Sequence, residues 1–151
     1  MPITAALICL VVGIADGDTL TARCEQQADQ SAQTLKVRLA EIDAPERGQA
    51  FGNRSKQHLS DLCFGKTATV TPLTTDRYGR TVARVSCAST DANAEQVRAG
   101  MAWVFDQYVT DRGLYTVQDD ARRAGRGLWV DREPVAPWEW RARKSEKLPR
   151  P

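Results

Sequence analysis

At 151 residues, 42% of them hydrophobic and 26% charged, the chain has the size and composition of one globular domain that buries roughly two-thirds of its unfolded surface. That excludes a disordered or low-complexity chain, and a core of this size needs no metal to hold it. The net charge of +2 excludes nothing, but from residue 141 onward five bases (Arg141, Arg143, Lys144, Lys147, Arg150) stand against one acid, Glu146. One domain is therefore expected over residues 1–140, followed by a basic, flexible tail over 141–151.

In chain order, Ile3–Ile14 is apolar with no Lys or Arg before it. It lacks the charged start of a signal peptide and is too short to span a membrane. Its branched residues predict a buried strand ending near Ile14. Asp16-Gly17-Asp18 predicts a hairpin, with Gly17 supplying the positive φ of a tight turn, and Thr19–Cys24 returns as the second strand. Glu25–Ser31 is polar and aperiodic, a loop. Leu35–Ile42 predicts a third strand, with Leu35, Val37 and Leu39 on one face and Lys36, Arg38 and Ala40 on the other; Pro45 must end it in a turn. Helical spacing begins near Arg54, with Leu59, Leu62 and Cys63 on one side and Gly65 as the stop. Thr67–Leu73 and Thr81–Cys87 predict two more strands, separated by a polar loop over Thr74–Gly79. Ala92–Ala99 and Tyr115–Ala124 predict helices, the second stopped by Gly125. These elements predict an α+β fold, a five-stranded OB-fold-like β-barrel with about three helices, a plan often used for nucleic acids.

The four cysteines, Cys9, Cys24, Cys63 and Cys87, have no C-x-x-C spacing and one histidine, His58, for company, which argues against zinc. Cys9 and Cys24 lie almost symmetrically about Gly17, so the hairpin would set them opposite each other and leave Cys63 for Cys87. Two disulfides are favoured over four buried thiols, although sequence alone leaves the connectivity open. Disulfides imply an oxidising compartment, hence an exported protein, periplasmic or secreted, whose export signal is not evident in this chain.

Three charged clusters carry the chemistry. Asp16 and Asp18 flank the first turn; Arg38, Asp43 and Glu46 lie on the third strand and the turn after it; Asp76, Arg77, Tyr78 and Arg80 precede the fifth strand. Each alone reads as a solvated turn. Together they offer carboxylates for a hard cation and arginines for a phosphate. No Ser-His-Asp or Cys-His set points to a covalent hydrolase.

The segments Asp16–Leu20, Val37–Glu46 and Asp76–Arg80 resemble, in order and spacing, those of the staphylococcal nuclease-like (thermonuclease) family. Gly100-Met101-Ala102-Trp103 and Gly127-Leu128-Trp129 look like its later signatures, so the likeness covers roughly residues 8–130. The resemblance implies Ca²⁺ as cofactor, with Asp18, Asp43 and the main-chain carbonyl of Ala44 as ligands and Asp16 as outer-shell support. Many family members have Thr at the position of Ala44; a carbonyl ligand survives that change, a hydroxyl role does not. It implies that Glu46 activates or orients the attacking water and that Arg38 and Arg80 clamp the phosphate. Arg77 and Tyr78 would contact substrate. The family's second nucleotide-site tyrosine would fall near Phe105 or Asp106, with Tyr108 close by.

The expected function is a monomeric, Ca²⁺-dependent, sugar-non-specific endonuclease that hydrolyses DNA and RNA, as single strands or breathing duplexes, and leaves 3′-phosphate ends. No membrane partner is implied. The alternative is an OB-fold nucleic-acid-binding module with a dead site; the presence of Asp18, Arg38, Asp43, Glu46 and Arg80 together argues against it. Trp103, Trp129, Trp138 and Trp140 read as packing residues, and His58 as a solvated helix residue.

Overall fold

The apolar run that opens the chain becomes strand β1 (Leu7–Asp16) of a computed structural model that describes residues 5–25 and 31–147. The strand is not buried on both faces: Cys9 and Val11 point into the core, while Ile8, Leu10 and Val12 are exposed. The apolar run hides a period of two, because β1 sits inside an antiparallel sheet with one solvated face. It pairs with β2 (Thr19–Glu25), and two register shifts bend it as a barrel requires. β2 pairs in turn with β3 (Ala32–Leu39). The expected loop between Glu25 and Ser31 lies almost wholly outside the described residues.

Helix α1 (Gly52–Cys63) crosses from β3 to β5 (Thr67–Thr75), burying Leu59 and Cys63. β5 pairs with both β1 and β6 (Thr81–Cys87). A parallel pairing of β3 with β6, Val37 opposite Thr81 and Leu39 opposite Ala83, then closes the barrel. Closure removes the sheet edges. Leu20, Val37, Leu39, Ile42, Leu59, Val70 and Val85 fill the interior, each stabilising the fold by about 1.5–3 kcal/mol relative to exposure. The two expected cysteine pairs are disulfides, Cys9–Cys24 across the β1–β2 ladder and Cys63–Cys87 between α1 and β6.

The third strand ends earlier than expected. β3 stops at Leu39, and Ile42–Asp43 forms a separate short strand, β4, paired with β8 (Trp103–Val104). The break lies at Glu41, whose φ is 70°. Its carboxylate reaches inward, where Oε1 accepts from Thr110 N at 2.6 Å, Thr110 Oγ1 at 2.5 Å and Asp111 N at 2.7 Å, and Oε2 pairs with Arg84. Burial opposes the charge, but these donors outweigh it and hold the carboxyl at about 2. Glu41→Ala should therefore cost about 3 kcal/mol at neutral pH, because it leaves Thr110 N and Asp111 N without their acceptor and takes one carboxylate from Arg84, which keeps Asp91. A group held below its usual 4.5 stabilises fully above that pH and loses its effect as pH falls toward 2. Urea unfolding at pH 7 and pH 3 should thus show the gap between variant and wild type shrinking in acid; an equal gap at both would contradict the role.

The remaining elements brace this frame. The short strand β7 (Thr90–Asp91) leads into helix α2 (Ala92–Arg98), capped by Asp91 through Ala94 N. From α2, buried Asn93 ties Val85 N to Ala40 O. Helix α3 (Gly113–Ala124) ends at Gly125 as expected, and a 3₁₀ turn follows at Gly127–Val130. The expected tail is a fourth helix instead: α4 spans Pro137–Lys147, so residues 141–147 belong to the folded body, and 148–151 lie outside the described residues. Trp138 docks on Trp103 (5.7 Å) and stacks on Phe105 (5.4 Å). That aromatic anchor, not the basic composition, decides the local structure.

Candidate active site

The β1–β2 turn is held by contact rather than by a special backbone. Gly17 does not have the positive φ expected of it. It is required for space, since a Cβ there would lie 1.8 Å from Ser55 Oγ and 2.9 Å from Ala44 Cβ. Gln96 Nε2 donates to Gly17 O at 2.7 Å, fixing the turn from α2. The next residue, Asp18, is buried. Its Oδ1 accepts from Thr19 Oγ1 at 3.0 Å and its Oδ2 from Ala44 N at 2.8 Å. The β1–β2 turn and the turn that follows β4 are thereby stitched together.

Arg38 lies opposite Thr19 in the β2–β3 ladder and reaches both acids. Its Nη2 is 3.4 Å from Asp18 Oδ2 and 3.3 Å from Asp43 Oδ1, while Nη1 donates to Leu39 O (2.6 Å) and Ile42 O (2.9 Å). The guanidinium fork fits this cluster where a lysine could not. Burial works against the charge of Asp18, yet Arg38 and the surrounding donors keep its carboxyl below the usual range. Burial pushes Asp43 the other way, upward, against the pull of Arg141. Asp16 accepts from Asp18 N at 3.0 Å, and burial followed by the Asp18 charge raises it to about 7. The Asp16–Asp18 pair thus carries less than its full charge near neutrality.

Glu46 joins the cluster through a residue that the sequence did not single out. Arg141, on α4, places Nη2 2.8 Å from Asp43 Oδ2 and Nη1 3.2 Å from Asp43 Oδ1 and 2.5 Å from Glu46 Oε1. Trp138 and Arg141, three residues apart, share a helix face, so the docked tryptophan aims the arginine. The sequence signal was present in Pro137, a favoured first residue of a helix, and in the aromatics that follow it. Gln49 supports the same turn, accepting from Glu46 N at 3.0 Å and donating to Val135 O at 2.8 Å.

The remaining expected residues lie further out. Arg80 precedes Thr81, the partner of Val37, so it enters at the seam where β6 closes on β3. Its Nε pairs with Asp76 Oδ2 at 2.7 Å. Tyr78 is exposed, with Arg77 Cζ 4.9 Å and Arg80 Cζ 5.4 Å from its ring centre. Tyr108 is exposed as well and packs edge-on against Phe105 at 4.9 Å. His58 is not simply solvated: its Nδ1 pairs with Gln96 Oε1, so it helps hold the side chain that fixes Gly17. Gly100 and Gly127 pack back to back, each leaving no room for a Cβ, and Trp103 meets Trp129 at 4.6 Å. The two late tryptophan segments thus form one joint.

The donor chemistry fits a hard cation. Asp18 and Asp43 converge on one guanidinium nitrogen, so their oxygens can also converge on an ion, and the Ala44 carbonyl lies on the same turn. Among the described residues, no group of three or more acids, histidines or cysteines is gathered for a metal. The rest of such a shell would come from main-chain oxygen and water, which Ca²⁺ accepts.

Comparison with known proteins gives the family. The family model described as staphylococcal nuclease homologue matches residues 36–131. An "Uncharacterized endonuclease" of Haemophilus influenzae is 46% identical over 93% of this chain and 75% of its own length. A protein of the same description from Escherichia coli is 44% identical over 89% of this chain and 84% of its own. A "Micrococcal nuclease" of Shigella flexneri is 43% identical over 87% and 78% respectively. The matched region holds Arg38, Asp43, Glu46 and Arg80 and stops before α4. The chain belongs to the staphylococcal nuclease homologue family of endonucleases.

Proposed function

We propose that the protein is a Ca²⁺-dependent, sugar-non-specific endonuclease that hydrolyses DNA and RNA by water attack on phosphorus and leaves 3′-phosphate ends. The observation that carries this reading is the Arg38 guanidinium spanning Asp18 and Asp43, with Glu46 tied to Asp43 through Arg141. Asp18, Asp43 and the Ala44 carbonyl would hold the ion, with Asp16 behind them. Bound there, Ca²⁺ would polarise a phosphate oxygen and favour ionisation of a nearby water.

Glu46 orients that water and accepts its proton as the new O–P bond forms. Arg38 and Arg80 donate N–H groups to the non-bridging oxygens, where charge grows. The bond to the 5′ oxygen breaks, and that oxygen takes a proton from solvent. Tyr78, with Arg77 and Arg80 beside its ring, offers the aromatic face and positive charge suited to an unpaired base and its phosphate; Tyr108 offers a second exposed ring. Sequence preference is then weak, and single strands or breathing duplexes are the substrates. We further read the protein as exported, a reading supported by its two disulfides, and as a monomer.

Plasmid and RNA digestion with Ca²⁺, with Mg²⁺ and with a chelator tests this. Cleavage of both polymers should need Ca²⁺, and Glu46→Gln or Arg80→Ala should lower its rate by about 10²–10³ without changing the unfolding transition. Binding without cleavage under every condition would instead make the chain an OB-fold nucleic-acid-binding module.

A further inference from the structure

We propose that Arg141 is a positioning residue of the site, an arginine carried by the C-terminal helix that sets Glu46 against Asp43. The inference rests on the nuclease reading. Asp43 is almost fully buried, whereas Glu46 is about one-third exposed, and only Ala44 and Pro45 separate them on a turn. Two such carboxylates repel each other, and nothing in the turn's own backbone fixes the Glu46 side chain. One guanidinium solves both problems: Nη1 is shared by Asp43 Oδ1 and Glu46 Oε1, and Nη2 holds Asp43 Oδ2. The Trp138 anchor one turn earlier places it. The planar fork gives the pair a defined separation and orientation, which a point charge on a flexible stem would not.

Arg141 also brings positive charge to Asp43, so it opposes any cation held there. Its removal therefore acts in two directions at once: the water-activating acid loses its aim, while the ion site gains negative potential. A merely structural residue would move both together.

The experiment compares wild type, Arg141→Ala and Arg141→Lys by steady-state cleavage of a defined single-stranded oligonucleotide, by calorimetric Ca²⁺ titration without substrate, and by thermal unfolding. Arg141→Ala should lower kcat by about 10–100-fold with little change in KM, while binding Ca²⁺ several-fold more tightly. Arg141→Lys should recover part of kcat and return Ca²⁺ affinity toward wild type. Unchanged kcat in Arg141→Ala overturns the inference alone. So does a variant whose kcat, Ca²⁺ affinity and Tm all fall together, with lysine no better than alanine. A wild-type protein that cleaves nothing overturns the nuclease reading and this inference with it.

Discussion

Arg38→Ala should lose cleavage by about 10²–10³ and, unlike Arg80→Ala or Glu46→Gln, should also lose stability. The Arg38 side chain is 13% exposed and faces Asp18 at 9% and Asp43 at 1%. Removing one partner of a buried ion pair typically costs about 3–5 kcal/mol, because the other charge is left without compensation. Arg141 still neutralises Asp43, so the loss falls mainly on Asp18 and should sit near the lower end. Arg38→Lys would keep the charge but not the fork, leaving Leu39 O and Ile42 O each short of a donor. Denaturant unfolding alongside single-turnover cleavage separates the two effects. An Arg38→Ala protein as stable as wild type would mean that the buried cluster is not ionised as described.

Reduction of both disulfides should have the largest effect on stability. The bridges close loops of 15 and 24 residues, and loop closure of that size stabilises by about 3 kcal/mol each. The sum is comparable to the whole net stability of an ordinary domain, about 5–15 kcal/mol. The reduced protein should therefore unfold at much lower denaturant and lose activity with the fold. Cys9→Ser/Cys24→Ser and Cys63→Ser/Cys87→Ser double variants should each show roughly half the loss. Equal midpoints for oxidised and reduced protein would sink this account.

The sequence made visible what is local or repeats with a fixed period. Asp18 and Arg38 could be placed because hairpin and strand patterns put them on adjacent elements, and Cys9 fell opposite Cys24 for the same reason. Glu41 was hidden: alternation along the third strand gives it no special place, and its inward turn is stabilised by donors about seventy residues later. Arg141 was hidden more deeply. It meets Asp43 across 98 residues, and a run of bases with few acids reads as solvated chain unless the aromatic anchor beside it is weighed. Gly17 was identified as essential for the wrong physical reason, crowding by Ser55 rather than turn geometry. Long-range packing, not propensity, decided each of these three.

All four tryptophans lie beyond residue 100; Trp103, Trp129 and Trp138 form one chain of ring contacts, while Trp140 carries Lys144 over its face. The barrel strands β1 to β6 contain none. Intrinsic emission therefore reports the seating of α4 and the 3₁₀ turn, whereas far-ultraviolet dichroism reports chiefly the strands and helices of the whole body. The two signals watch different parts of one molecule. If the C-terminal helix lifts before the barrel melts, the emission will shift first, and the arginine that reaches the acids will leave with it.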